Sequence, residues 1–185
     1  MLASTIAVAA GQRLVEGNAS SPVRVLIYED LQCPDCAAFR VMLDKQLLPK
    51  YGKRVAFEHR DFPLAKHSWA RKAATAAHFF QEISPALAVK YRRYMLANIQ
   101  ATTRVNFNER LAEFAKKNGA GPRKAVAALD DARYQAAVEA DFQDGVARGV
   151  AHTPTAFVNG VEFVETISFE EISKAIDAAL AETRP

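Results

Sequence analysis

Only two cysteines occur in the 185 residues of this chain, and they stand two residues apart in Cys33-Pro34-Asp35-Cys36. With no other thiol available, a framework of disulfides stapling distant segments is excluded, and so is a four-cysteine metal site. A long apolar run is also missing, so no segment reads as a membrane-spanning helix. Neither sign of charge dominates: 24 Lys and Arg stand against 21 Asp and Glu, a net of +3. The two signs are interspersed, which excludes the basic footprint of a nucleic-acid or anionic-membrane binder. There is no internal repeat and no low-complexity tract. Met1–Ala10 is apolar and rich in small residues but lacks the basic flank of a signal peptide. It reads as the remnant of a trimmed leader or as a loosely ordered first segment.

Half of the residues are hydrophobic and 24% are charged, as in a globular chain with a substantial core. The length suits one domain, or one domain carrying an insertion. Pro22 opens the nearly continuous apolar run Val23–Tyr28, which predicts a strand buried on both faces. A helix follows from about Pro34, with Phe39, Met42, Leu43 and Leu47 on one stripe and an end near Pro49–Gly52. Val55–Arg60 alternates as a second strand. From about Lys66 to Gly149 the pattern is helical throughout. Ser84-Pro85, Asn106 or Asn108, Gly121-Pro122 and Asp130-Asp131 mark helix starts, and Asn118-Gly119 marks a stop. The last quarter returns to strands. Thr155–Val158 and Val161–Val164 flank Asn159-Gly160, a hairpin turn signal, and Ser168 with Glu171 predicts a capping box for a final helix.

A lone Cys-x-x-Cys can join to itself, supply half of a metal site, or exchange disulfides with a partner. Here it falls at a strand-to-helix junction, where the helix N-terminus stabilises a thiolate. Spaced at i and i+3, the two sulfurs share a helix face. A zinc or iron–sulfur reading needs about four ligands, and no histidine offers a companion at ligand spacing.

The order strand, Cys-x-x-Cys helix, strand, helical block, hairpin, helix resembles the thioredoxin fold of the DsbA-like disulfide oxidoreductases, an α/β fold with a helical domain inserted after the second core strand. The resemblance rests on Glu29–Cys36, Arg60–Leu64, His67 with the alanine-rich helix behind it, and Gly149–Gly160, and it covers the chain from about Ser20 onward. It implies a thioredoxin-like domain of residues 1–65 and 150–185 and an inserted helical domain of residues 66–149. It also implies an exposed nucleophile at Cys33, a buried resolving thiol at Cys36, and a cis Thr153–Pro154 bond lying against them. Thr153 would then offer its backbone to an extended substrate strand. The implied partners are protein thiols and disulfides, together with a membrane-bound recycling oxidase. No cofactor beyond the cysteine pair and no metal is expected, and the implied location is the bacterial periplasm or another extracytoplasmic space.

Three further residues are candidates for tuning the pair, alongside Pro34 in the first helical turn. Asp35 stands where Pro-His relatives carry histidine. At about 6 Å its carboxylate would oppose a Cys33 thiolate by roughly 0.7–3 kcal/mol. That is comparable to a helix-dipole gain of about 0.3–1 kcal/mol, so a less acidic Cys33 is expected than in a Pro-His relative. Thioredoxin relatives often place a buried acid six residues before the first cysteine. Ile27 occupies that position here, and Glu29, on the same strand face, is either its substitute or a solvated strand-end charge. His152, next to Thr153, would favour the thiolate if protonated within reach of Cys33. His59, His67 and His78 show no partner in the sequence. The competing readings are a reductase or isomerase using the same residues, and a thioredoxin-like binding module without redox turnover.

Overall fold

The computed structural model describes residues 13–183; the Met1–Ala10 stretch lies outside them. Its centre is a five-stranded sheet of β1 (Val15–Gly17), β2 (Arg24–Glu29), β3 (Ala56–Asp61), β4 (Thr155–Val158) and β5 (Val161–Val164), in the order β1-β3-β2-β4-β5. β2 and β3 run parallel and the other pairs antiparallel. The central position of β2 explains its nearly continuous hydrophobicity, since both faces are covered. The register with β3 pairs Val25 with Phe57, Ile27 with His59 and Glu29 with Asp61.

The crossover from β2 to β3 is α1 (Pro34–Met42), a π-helical stretch over Leu43–Leu47, and α2 (Leu48–Tyr51). Pro49 falls inside this continuous helix, and the wider π turns just before it relieve the clash that a proline ring makes with the preceding turn. Phe39, Leu43 and Leu47 pack on Val25, Ile27 and Phe57, and Ile172 and Ile176 of α8 (Phe169–Glu182) join the same cluster. Ser168 caps α8: its Oγ accepts from the Glu171 N–H at 3.2 Å and donates to the Glu171 carboxylate at 2.8 Å.

Between β3 and β4 lie α3 (Ala70–Ile83), α4 (Pro85–Ala97), α5 (Phe107–Lys117), α6 (Pro122–Ala127) and α7 (Ala132–Ala147). Ser84 caps α4 and Asp131 caps α7 through their side chains. Asn106 stands at the N-cap position of α5, but its side chain accepts from Thr103 N–H instead of capping the helix. Trp69, Phe80, Tyr91, Phe107 and Phe114 build the helical core, and Leu31, Cys33 and Cys36 belong to the same cluster. The cysteines thus sit at the seam between the sheet and the helical block. α7 presses on the sheet at Gly145, where a side chain would meet the Phe62 ring at 2.6 Å and the Tyr28 ring at 3.1 Å.

β1 lies upstream of the part of the chain that carries the resemblance. Three residues are too few to show a strand period, and its antiparallel pairing with β3 is reinforced by ions. Glu16 reaches Nε2 of His59 at 3.0 Å and Arg40 at 2.5 Å.

Candidate active site

Cys33 occupies the N-cap position of α1, with extended backbone and Pro34 following it in the first turn. Its N–H donates to the Asp30 carbonyl at 3.0 Å, which closes the turn between β2 and the helix. The helix then carries Cys36 inward to 1% exposure, against Leu31 and the helical core. Both thiols are free. Cys33 departs from the expectation of an exposed nucleophile: only 5% of it is accessible. The loop before β4 is the reason. The Thr153–Pro154 bond is cis, and the Cys33 thiol donates to the Thr153 carbonyl at 3.2 Å. The sulfur therefore lies on the floor of a groove of about 310 Å³, walled by Leu64, Ala65 and Lys66 on one side and by Ala151, His152, Thr153 and Glu165 on the other. A larger cavity of about 750 Å³ lies between Arg71, Asn108, Leu129 and Glu139 in the helical block and is lined by neither cysteine.

The two sulfurs are electrostatic opposites. A hydrogen bond from the Cys36 thiol lowers the Cys33 pKa to about 6, against the cost of burial; Thr153 and the backbone N–H groups of Cys36 and Asp35 assist. The Thr153 carbonyl accepts only from the thiol form. In the thiolate form the Thr153 hydroxyl, buried with no other partner, is the group positioned to donate. Cys36 is pushed well up, first by burial and then by its bond to Cys33 and the Cys33 charge. A ready thiolate thus stands above a thiol that keeps its proton.

Asp35 is exposed on the first turn, where solvent screens its carboxylate while its N–H supports the thiolate. Glu29 is neither solvated nor free to carry a proton. It is 4% exposed and accepts from His59 Nδ1 at 2.7 Å and from Arg92 at 3.0 Å. Burial raises its pKa, but the His59 and Arg92 charges outweigh that and hold it below the usual carboxylate range. Its fixed negative charge helps to keep Cys36 protonated. His152 lines the groove, but its Nδ1 faces the Glu165 carboxylate at 3.0 Å.

The other histidines also have partners that sequence reasoning missed. His59 lies between Glu29 and Glu16, His67 against Asp30, and His78 against Asp61. Carboxylates only accept, so both His59 nitrogens donate and the ring is an imidazolium. Burial opposes this, but the two carboxylates raise its pKa. Asp61, His78 and Asp141 converge closely enough for a cation. Arg92 forks onto Asp61 at 2.9 Å, and Arg60 reaches Asp141 at 3.3 Å, so guanidinium groups already supply the positive charge there.

Comparison with known proteins agrees with this arrangement. A Rickettsia prowazekii protein named for protein-disulfide oxidoreductase activity is 28% identical over 171 residues, covering 90% of this chain and 61% of its own. A similarly named Rickettsia bellii protein is 25% identical over 179 residues, 92% of this chain and 66% of its own. The chain therefore spans less than two thirds of the length of these curated relatives. Among solved structures, oxidised BdbD of Bacillus subtilis superposes with a TM-score of 0.82 at 21% identity, over 91% of this chain and 93% of that one. Alpha-DsbA1 of Wolbachia pipientis superposes with a TM-score of 0.80 at 17% identity, over 93% and 92%. Both share the fold, helical block included. The thioredoxin family's sequence model matches residues 9–178, a span that takes in the sheet, the cysteine pair and the cis-proline loop, and the chain belongs to that family.

Proposed function

We propose that this chain is a thiol:disulfide oxidoreductase that exchanges disulfides with protein substrates, working chiefly as a disulfide donor. The observation that carries the reading is the placement of Cys33 in the groove, 3.2 Å from the Thr153 carbonyl, with Cys36 buried one helical turn behind it. The opposite pKa shifts of the two thiols, Cys33 down to about 6 and Cys36 well up, fit the same roles. In the oxidised protein, a substrate thiolate attacks Sγ of Cys33. The Cys33–Cys36 bond breaks, its electron pair leaves on Cys36, and a mixed disulfide joins the substrate to Cys33. A second substrate thiolate attacks the substrate sulfur of that bond, the substrate disulfide forms, and Cys33 leaves as a thiolate. Two electrons pass to the protein, and the low pKa of Cys33 favours this direction because it stabilises the reduced form.

An extended substrate strand would lie along the groove and pair with the backbone of Thr153 beside Pro154. Such a reaction needs no cofactor or metal beyond the cysteine pair. It suits a compartment where disulfides persist, such as the periplasm, with a membrane-bound oxidase as the recycling partner. No described helix is long and apolar enough to cross a membrane, and the near balance of charge argues against a nucleic-acid role. Oxidised protein is expected to restore activity to a reduced, unfolded test enzyme that needs disulfides. Cys33→Ser abolishes the reaction, and Cys36→Ser accumulates a mixed disulfide. Retained turnover in Cys33→Ser overturns the reading in favour of a binding module, and a preference for reducing the oxidised test enzyme overturns the donor direction.

A further inference from the structure

The main chain of Asp30 meets both cysteines. Its N–H points at Sγ of Cys36 at 3.4 Å, and its carbonyl accepts from the Cys33 N–H at 3.0 Å. Its side chain is fully engaged at 1% exposure. Oδ1 accepts from the Gln32 N–H at 2.7 Å, and Oδ2 accepts from the Leu64 N–H at 2.8 Å and from Nδ1 of His67 at 2.8 Å. These bonds tie the cysteine turn to the segment between β3 and α3, which walls the groove at Leu64–Lys66. Gln32 adds a second tie, its side-chain oxygen accepting from the Trp69 N–H at 2.9 Å.

We propose that Asp30 and His67 form a positioning pair for the exchange reaction, aiming the Asp30 N–H at the sulfur that must leave. This inference rests on the oxidoreductase reading. When a thiolate opens the Cys33–Cys36 bond, negative charge develops on Cys36 in a site that holds few donors. A preorganised N–H stabilises that charge more than it stabilises the neutral disulfide, and a difference of that kind accelerates the step. The N–H is held in place by the Asp30 carboxylate, and the carboxylate is held by the ring of His67, whose side chain is 15% exposed and reaches the surface. His67 therefore acts through Asp30 and touches no reacting atom. The sequence gives no hint of the pair, because Asp30 and His67 are 37 positions apart.

The test opens the oxidised full-length protein with glutathione and follows formation of the mixed disulfide at Cys33. Asp30→Ala keeps the N–H but removes the carboxylate that aims it, and is expected to slow opening by up to about tenfold, the full loss of one donor to a developing charge. His67→Leu removes the donor that anchors Asp30 and slows opening about threefold. His67→Asn keeps a donor where Nδ1 stood and restores opening to the wild-type rate. A denaturant midpoint for each variant separates rate from stability, and if Asp30→Ala fails to fold, the two His67 variants decide. Wild-type opening in His67→Leu, or equal slowing in His67→Leu and His67→Asn, overturns the pair. Wild-type protein inert toward both glutathione and a reduced peptide instead overturns the oxidoreductase reading itself.

Discussion

One face of the β2–β3 pair changes character along its length. At its start, Val25 and Phe57 are fully buried against Phe39, Leu43, Ile172 and Ile176, in a cluster without a charge. Two residues on, Ile27 pairs with His59, and after two more Glu29 pairs with Asp61. The end that leads into the cysteine turn is thus packed with ions: Glu16, Glu29, His59, Asp61 and Arg92 are joined by bonds of 2.7–3.0 Å. Burial alone does not separate the two ends, since both exclude water. At the apolar end removal from water is itself the driving force. At the ionic end it is a cost, offset only while every charge keeps its partner. That end fixes the strand carboxylate immediately before Asp30, so the active site stands on the part of the sheet most sensitive to a lost contact.

Arg92→Met is the strongest way to break the comparison. It leaves Glu29 and Asp61 buried without their shared cation and is expected to cost about 3–5 kcal/mol of unfolding free energy. Phe57→Ala at the apolar end costs a similar amount, about 3–5 kcal/mol, through the cavity it opens. Urea titrations measure both, and pH tells them apart.

The pH dependence sharpens the distinction. His59 is raised above 6.5, so its contribution is whole below that pH and is lost as pH climbs through its folded value. Glu16 is lowered from 4.5 to about 2: burial pushes it up, and His59 and Arg40 more than reverse that. Its contribution is whole above 4.5 and is lost as pH falls toward 2. The ionic end is therefore expected to stabilise most between 4.5 and 6.5. His59→Leu should flatten the alkaline limb of the stability profile, whereas Phe57→Ala lowers the whole curve without changing its shape. A profile that keeps its alkaline limb in His59→Leu would assign that limb to another group.

The smallest effect belongs to the exposed Asp35. Thiolate absorbance of the wild-type protein is expected to titrate at about 6. Asp35→Asn is expected to lower that midpoint by less than about one pH unit, because water screens the carboxylate. A fall of several pH units would show that this charge dominates Cys33 after all.

The features legible in the chain alone are local. The Cys-x-x-Cys at a strand-to-helix junction, the caps at Ser84, Asp131 and Ser168, and the Asn159-Gly160 turn, with φ of 45° and 96°, all depend on neighbours a few residues away. Hydrophobic period and turn chemistry record such interactions directly. Which polar groups meet in the interior is settled by long-range folding. Glu29 and His59 are 30 positions apart, Glu16 and His59 43, Glu29 and Arg92 63, and Cys33 and Thr153 120. A histidine or glutamate carries no mark of its partner, and its protonation is set by desolvation and by charges that arrive only when the chain closes. For the same reason Cys33 reads as an exposed helix-start thiol in the sequence and becomes the floor of a groove once the cis-proline loop folds across it.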